Sequence, residues 1–225
     1  MIQRMLDRFD STVELSGTIN LTVSDGAGVN SATTTVAMSR PSRLAIRQEV
    51  RGQRNRVDRY LFVSNGTQVL YSLAAVHTLK DKVDYVTEDV RTKTGYLRMI
   101  PELYLVARAA ITDNEVLNFM FRGPASRRGI EHHFATVRTE EKETVRGIEA
   151  NVFTGSYRKE DSTVVSGTYK IWISDSLDLL RYEVTLPMVN PRNSRQRVDV
   201  KQTWEIDIKI EPSGGVPASA FALKP

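Results

Sequence analysis

The stretch Arg197-Val198-Asp199-Val200-Lys201-Gln202-Thr203-Trp204-Glu205-Ile206-Asp207-Ile208-Lys209-Ile210-Glu211 decides the fold. Apart from Gln202 its even positions are apolar, while every odd position is polar. A period of two over that length belongs to a long strand with one buried face. Such a strand needs lateral partners for its backbone and a cover for its apolar side. The same alternation recurs elsewhere, most cleanly from Val13 to Val23, where Leu15, Gly17, Ile19 and Leu21 share one side. The expectation is a wide, strongly curved antiparallel sheet whose apolar side is covered by a helix, a ligand or both.

Outward from these two strands, the chain alternates between strand and turn signals. Ile2, Met5, Leu6 and Phe9 have helical spacing, so a short amphipathic helix is expected at the N-terminus. Asp25-Gly26-Ala27-Gly28 predicts a turn, and Thr33 to Ser39 a return strand. Pro41 interrupts the ladder, because proline has no N–H to donate. Leu44, Ile46, Gln48 and Val50 resume it. Gly52 to Asn55 reads as a polar loop, Arg56 to Ser64 as a strand, Asn65-Gly66 as a hairpin turn, and Thr67 to Leu73 as the returning strand. Leu97, Ile100, Leu103, Tyr104, Ala107 and Ile111 then change to helical spacing, with Pro101 in the first turn. Asn114 to Arg122 reads as a second short helix or as a loop and strand. Strands are expected again at His133–Arg138, Glu149–Arg158, Thr163–Ser174 and Leu179–Leu186. Near the C-terminus, Phe221 is expected to tuck into the structure.

The 225 residues carry 31 Lys and Arg against 27 Asp and Glu, for a net charge of +4, and no cysteine. The excess of base is too small to point to nucleic acid. The lack of cysteine rules out disulfides, thiol nucleophiles and cysteine-ligated metal. No linker divides the chain, so residues 1–225 are expected to form a single domain. No apolar run is long enough to cross a bilayer as a helix.

Several short motifs resemble one family. Ser39-Arg40-Pro41-Ser42-Arg43-Leu44 precedes Leu61-Phe62-Val63-Ser64-Asn65-Gly66-Thr67-Gln68-Val69-Leu70-Tyr71. Val145-Arg146-Gly147-Ile148, Lys170-Ile171-Trp172-Ile173-Ser174 and Leu180-Arg181-Tyr182-Glu183-Val184 follow, and the chain ends Pro217-Ala218-Ser219-Ala220-Phe221-Ala222-Leu223-Lys224-Pro225. This progression resembles that of the LolA-like and RseB-like bacterial periplasmic lipoprotein-carrier superfamily. The resemblance implies an α+β fold: an open, strongly curved antiparallel β half-barrel of about eleven strands with helices covering its concave face. It also implies a periplasmic or otherwise exported protein beginning after its signal. The implied function is binding or carriage of lipid or lipoprotein acyl chains, with no catalysis and no cofactor. The alternative within the same superfamily is a protein-interaction or sensor module of the cell envelope. Expected partners are accordingly an acyl chain, an envelope protein and a peripheral membrane surface, without nucleic acid, and the chain is expected to be monomeric.

Alternation and resemblance together nominate Leu15, Ile19, Leu21, Val36, Met38, Leu44, Ile46, Tyr71, Leu103 and Val106 as cavity-lining residues. Plain core packing would account for the same residues. The resemblance also implies that Arg40 latches a helical lid by donating to helix-end carbonyls; the ordinary alternative is a surface arginine beside a turn proline. Seven arginines lie from Arg40 to Arg59 (Arg40, Arg43, Arg47, Arg51, Arg54, Arg56 and Arg59). They read as an anion-contacting surface or as a solvated face, with Arg47 and Arg51 pointing to solvent. His77, His132 and His133 are the only histidines. Adjacent His132 and His133 would point to opposite faces of a strand, so no metal site is expected. No nucleophile elbow, zinc-protease motif, phosphate loop or dinucleotide fingerprint occurs.

Overall fold

The computed structural model describes residues 1–24, 29–51, 57–72, 85–89, 99–108, 111, 114–121, 133–158, 165–190 and 193–224. The expected turn at 25–28, the loop at 52–55 and the residues His77, Leu97 and His132 lie outside them. One twelve-stranded antiparallel sheet dominates. Its strands are β1 (Glu14–Ser24), β2 (Val29–Ser39), β3 (Arg43–Arg51), β4 (Val57–Asn65), β5 (Gln68–Ser72) and β6 (Tyr85–Asp89), then β7 (Arg138–Thr139), β8 (Glu143–Val145), β9 (Ile148–Tyr157), β10 (Gly167–Ser174), β11 (Leu179–Asn190) and β12 (Asn193–Glu211). Across the sheet they run β6-β5-β4-β3-β2-β1-β12-β11-β10-β9-β7, with β8 attached to β9. The two strands with the clearest alternation therefore meet at the centre, in register from Glu14 opposite Glu211 to Ser24 opposite Lys201.

Their closeness depends on one glycine. Gly17 faces Ile208 across the ladder, with φ at +153°. A Cβ there would stand 2.0 Å from the Asp207 carbonyl oxygen. Only a residue without a side chain lets the two strands approach this way. At the β4–β5 turn, Asn65 Oδ1 accepts the backbone N–H groups of Thr67 and Gln68, each at 2.9 Å, and Gly66 takes the positive φ that the turn demands.

Among the described residues, three short α-helices lie on one face: α1 (Ile2–Ser11), α2 (Ile100–Ala107) and α3 (Glu115–Phe121). Asn114 to Arg122, readable from sequence as helix or as loop and strand, is thus helical over α3. Asn114 Oδ1 accepts the Val116 N–H at 3.0 Å and starts it. Pro101 does sit in the first turn of α2. The expected strand at His133–Arg138 is reduced to the two-residue β7 and a single bridge from Phe134 to Tyr157.

The expected strongly curved half-barrel is not what this sheet forms. The sheet is neither closed nor strongly curled, and its terminal strands β6 and β7 do not pair with each other. The physical reason lies in the ladders. Strands bend most where an extra residue breaks the register. The β1–β2, β2–β3, β3–β4 and β1–β12 ladders run without a break. The irregularities fall at Trp172/Ile173 and Val189/Asn190.

Candidate functional site

The sheet has two distinct faces, and the helices choose between them. On the inner face Leu15, Ile19, Val36, Met38, Leu44 and Ile46 join Met5, Leu6 and Phe9 of α1, Ile100 and Leu103 of α2, and Val116, Leu117, Phe119, Met120 and Phe121 of α3 in one apolar cluster. Of the nominated lining residues, Leu15, Ile19, Met38, Leu44, Ile46 and Leu103 are 0% exposed and Val36 is 1% exposed. Leu21, Tyr71 and Val106 are half-buried at the margin of the same cluster. All ten therefore share one face or its cover. At zero exposure no water-sized gap adjoins a side chain.

Hydrogen bonds tie the helices to the sheet and to each other. Arg40 lies in the β2–β3 turn, where its Nε donates to the Thr12 carbonyl at 2.7 Å and its Nη2 to that of Phe9 at 3.4 Å. The Thr12 carbonyl lies at the C-cap of α1 and that of Phe9, which also accepts the Thr12 N–H, in its last turn, where a cation is favoured by the helix dipole. Burial lowers the Arg40 pKa, and Asp10 partly counters it. From the other side, Arg8 bonds the Ser176 carbonyl and Asp178 in the β10–β11 turn, the latter at 2.7 Å. As α1 is bound to turns on either side of the central strands, it lies across one end of the sheet. The α2–α3 pair is held differently. Tyr104 of α2 donates to Asn118 of α3 at 3.0 Å, and Tyr157 of β9 donates to Glu115 at the start of α3.

Under α3 the inner face becomes aromatic. Tyr182 and Trp204 are registered neighbours on β11 and β12, stacked at 5.2 Å with 29° between planes. Phe119 of α3 meets Tyr182 edge-on at 5.2 Å, and Phe134 meets Tyr169 at 4.8 Å. Polar atoms are embedded here. His133 Nδ1 stands 3.9 Å from Glu115 Oε1. Burial, together with the charge of Glu115, pushes the Tyr182 hydroxyl pKa well up, and burial takes Tyr169 up to about 12. Trp204 Nε1 is buried without a hydrogen-bond partner. Sequence reading placed Trp204 on the apolar side of its strand, quoted Tyr182 only within a family motif, weighed His133 only as a metal ligand, and did not single out Glu115 or Tyr157. They come from segments far apart in the chain, and only strand parity hints that Tyr182 faces Trp204.

The outer face is polar except around Val145, Ala150, Val152, Trp172 and Leu180 and where the tail crosses it. Ala37, Ala45, Leu61, Val63 and Leu70 are buried there by Val216 and Phe221. Arg47 does point outward, as alternation requires, but not into solvent. Its Nη1 donates to the Ala220 carbonyl at 3.1 Å and its Nη2 to that of Ala222 at 3.4 Å. Arg51 and Arg59 both pair with Glu49, at 2.9 Å and 3.5 Å. With Arg47 they line a 380 Å³ cleft on this face. Among the described residues, no group of three metal-ligating side chains occurs.

No protein-family profile matches the chain, and no curated protein matches it significantly. Among solved structures it is similar to the MucA/MucB complex of Pseudomonas aeruginosa, with a TM-score of 0.40 and 11% identity over 97% of this chain and 60% of that one. In a second structure, of MucB in complex with MucA(peri), it spans 54% of the matched chain. It is also similar to LprF from Mycobacterium bovis, with a TM-score of 0.38 and 11% identity over 94% of each chain. A LolA superfamily protein from Nitrosomonas europaea gives 0.32 and 9%, over 98% of this chain and 97% of that one. Likeness at this level decides nothing about what this chain binds.

Proposed function

We propose that this chain is a non-catalytic, single-domain binding protein of the bacterial cell envelope that holds lipid or lipoprotein acyl chains between its sheet and the α2–α3 cover. The observation that carries the reading is the chemistry of the cover. Every residue of α3 from Val116 to Phe121 is buried, and α2 buries Ile100, Leu103, Tyr104 and Ala107. Both helices meet the sheet mainly through hydrocarbon. An acyl chain entering beneath them gains about 0.8 kcal/mol for each methylene it buries. It replaces contacts of the same kind, so exchange between the covered and loaded forms is nearly balanced. Arg40 then acts as a latch at α1, holding one end of the cover while α2 and α3 yield. The envelope location rests on the sequence motifs around Arg40-Pro41, Asn65-Gly66 and the C-terminal tail.

The test is uptake of a pyrene-labelled acyl ester by delipidated protein, followed by fluorescence. Saturable uptake is expected. Leu103→Glu, which puts a carboxylate beneath the cover, is expected to weaken it tenfold or more. Leu105→Glu on the same helix is the control, because Leu105 is 59% exposed. Absence of uptake by the unaltered protein overturns the proposal. The arginine-lined cleft favours a second reading, an interaction module that meets an acidic envelope protein through Arg51 and Arg59. Protein that captures such a partner and takes up no lipid would establish it.

A further inference from the structure

We propose that the outer end of the β11–β12 hairpin docks on the surface of an anionic phospholipid bilayer. This goes beyond the acyl-chain reading and stands without it. The two strands outrun their neighbours. β11 pairs with β10 only from Leu179 to Thr185, and β12 pairs with β1 only from Lys201 onward. The ladder between β11 and β12 continues past both, with Leu186 opposite Val200, Pro187 opposite Asp199, Met188 opposite Val198 and Val189 opposite Arg197. A two-stranded arm thus leaves the sheet. Among the described residues no further strand pairs with either of its edges.

Exposure rises along the arm. Leu186 and Val200 at its root are each 7% exposed, whereas Met188 and Val189 beyond them are 44% and 57% exposed. By strand parity Met188 lies on the inner face with Leu186, and Val189 on the outer one. A protein packed on one face would leave the other apolar side chain in water, while immersion in a lipid interface covers both. The arm projects from the end of the sheet remote from the Arg40 and Arg8 contacts of α1. At that same end Val29 opens β2 opposite Ser24, Val57 opens β4 opposite Arg51, and Val165 precedes β10, all three exposed. Aliphatic side chains spread over separate strand ends suit a soft interface better than a shaped groove.

Charge selects the lipid. From Val184 to Val198 the sequence holds three arginines and no acidic residue, and Arg195 and Arg197 belong to β12. Anionic headgroups attract such side chains close to the surface. A second copy of the arm would bring the same arginines alongside, which opposes edge-to-edge pairing.

The experiment is flotation of the protein with vesicles of phosphatidylcholine, either pure or with one-third phosphatidylglycerol. Binding to the mixed vesicles is expected, weakening as salt rises, with far less binding to the pure ones. Arg195→Glu with Arg197→Glu should weaken it roughly tenfold or more, since each arginine near an anionic surface is worth about a factor of five. Met188→Ser with Val189→Ser should weaken it severalfold at an unchanged urea midpoint. Ile148→Ser is the control, because Ile148 is exposed but opens β9 at the opposite end of the sheet; it should bind as the unaltered protein does. No binding to mixed vesicles, binding that ignores the arm substitutions, or an equal loss in Ile148→Ser overturns the proposal. So does a dimer in sedimentation velocity that Val189→Ser dissolves. Uptake of the pyrene ester without vesicle binding removes this inference alone, and vesicle binding through the arm without uptake supports it while removing the acyl-chain reading.

Discussion

The Glu14 carboxylate accepts the Val216 N–H at 3.0 Å, across 202 residues of chain, and so pins the tail to the first strand. That N–H and the one of Gly214 hold the Glu14 pKa below its usual 4.5. A carboxylate with a depressed folded-state pKa stabilises the fold above its unfolded value, and that contribution is lost as pH falls through the folded one. The unaltered protein should therefore be more stable than Glu14→Gln at neutral pH. The gap should close as the pH drops below 4.5. Urea midpoints of the two proteins across that range provide the measurement; a gap independent of pH would refute the assignment.

Gly17→Ala should damage the centre of the sheet. Its Cβ would meet the Asp207 carbonyl oxygen at 2.0 Å, and this oxygen belongs to backbone that cannot swing aside. A loss on the order of 1–3 kcal/mol, typical of overpacking, is expected in urea unfolding. Gly147→Ala, where no atom lies within 4 Å of the added carbon, should cost less, its φ of +80° notwithstanding.

Arg40→Met leaves the Thr12 and Phe9 carbonyls without their guanidinium donor. Stability should fall by roughly 1–3 kcal/mol, the cost of stranding the part-buried Thr12 carbonyl, since that of Phe9 keeps the Thr12 N–H. A latch predicts a second effect that a purely structural bond does not. Stopped-flow loading of the pyrene ester should become faster, and its release as well.

Phe221→Ala should act locally. Truncating a buried phenylalanine costs about 3–5 kcal/mol. Here, however, undocking of the tail caps the loss, because a strap can open without unfolding the sheet beneath it. Hydrogen exchange should accelerate at Ala220 and Ala222, while the amides of the β1–β12 ladder keep their protection.

Much of this architecture was legible from residue patterns because alternation reports directly on burial. The inner residues Leu15, Ile19, Val36, Met38, Leu44 and Ile46 followed from parity alone. Curvature did not, since parity says which face is apolar and nothing about how a ladder bends. α3 was ambiguous for a related reason: buried on all sides, it has no polar stripe to mark a helical period. Glu143-Thr144-Val145 is too short and too charged to announce β8. Arg47 was assigned to the correct face, but its role depends on a tail 173 residues away. The cluster of Glu115, Tyr157 and His133 is likewise a product of tertiary structure, assembled from three segments.

The strand order also governs how the molecule must come into being. The first and last strands are neighbours at the middle, and the rims come from the interior of the chain. During synthesis the N-terminal half can pair β1 through β6, yet one side of β1 stays bare until β12 has emerged. Joining sequence neighbours so remote is entropically slow. Until that last zipper closes, the nascent chain carries an unpaired hydrogen-bonding edge, open to pairing with other strands.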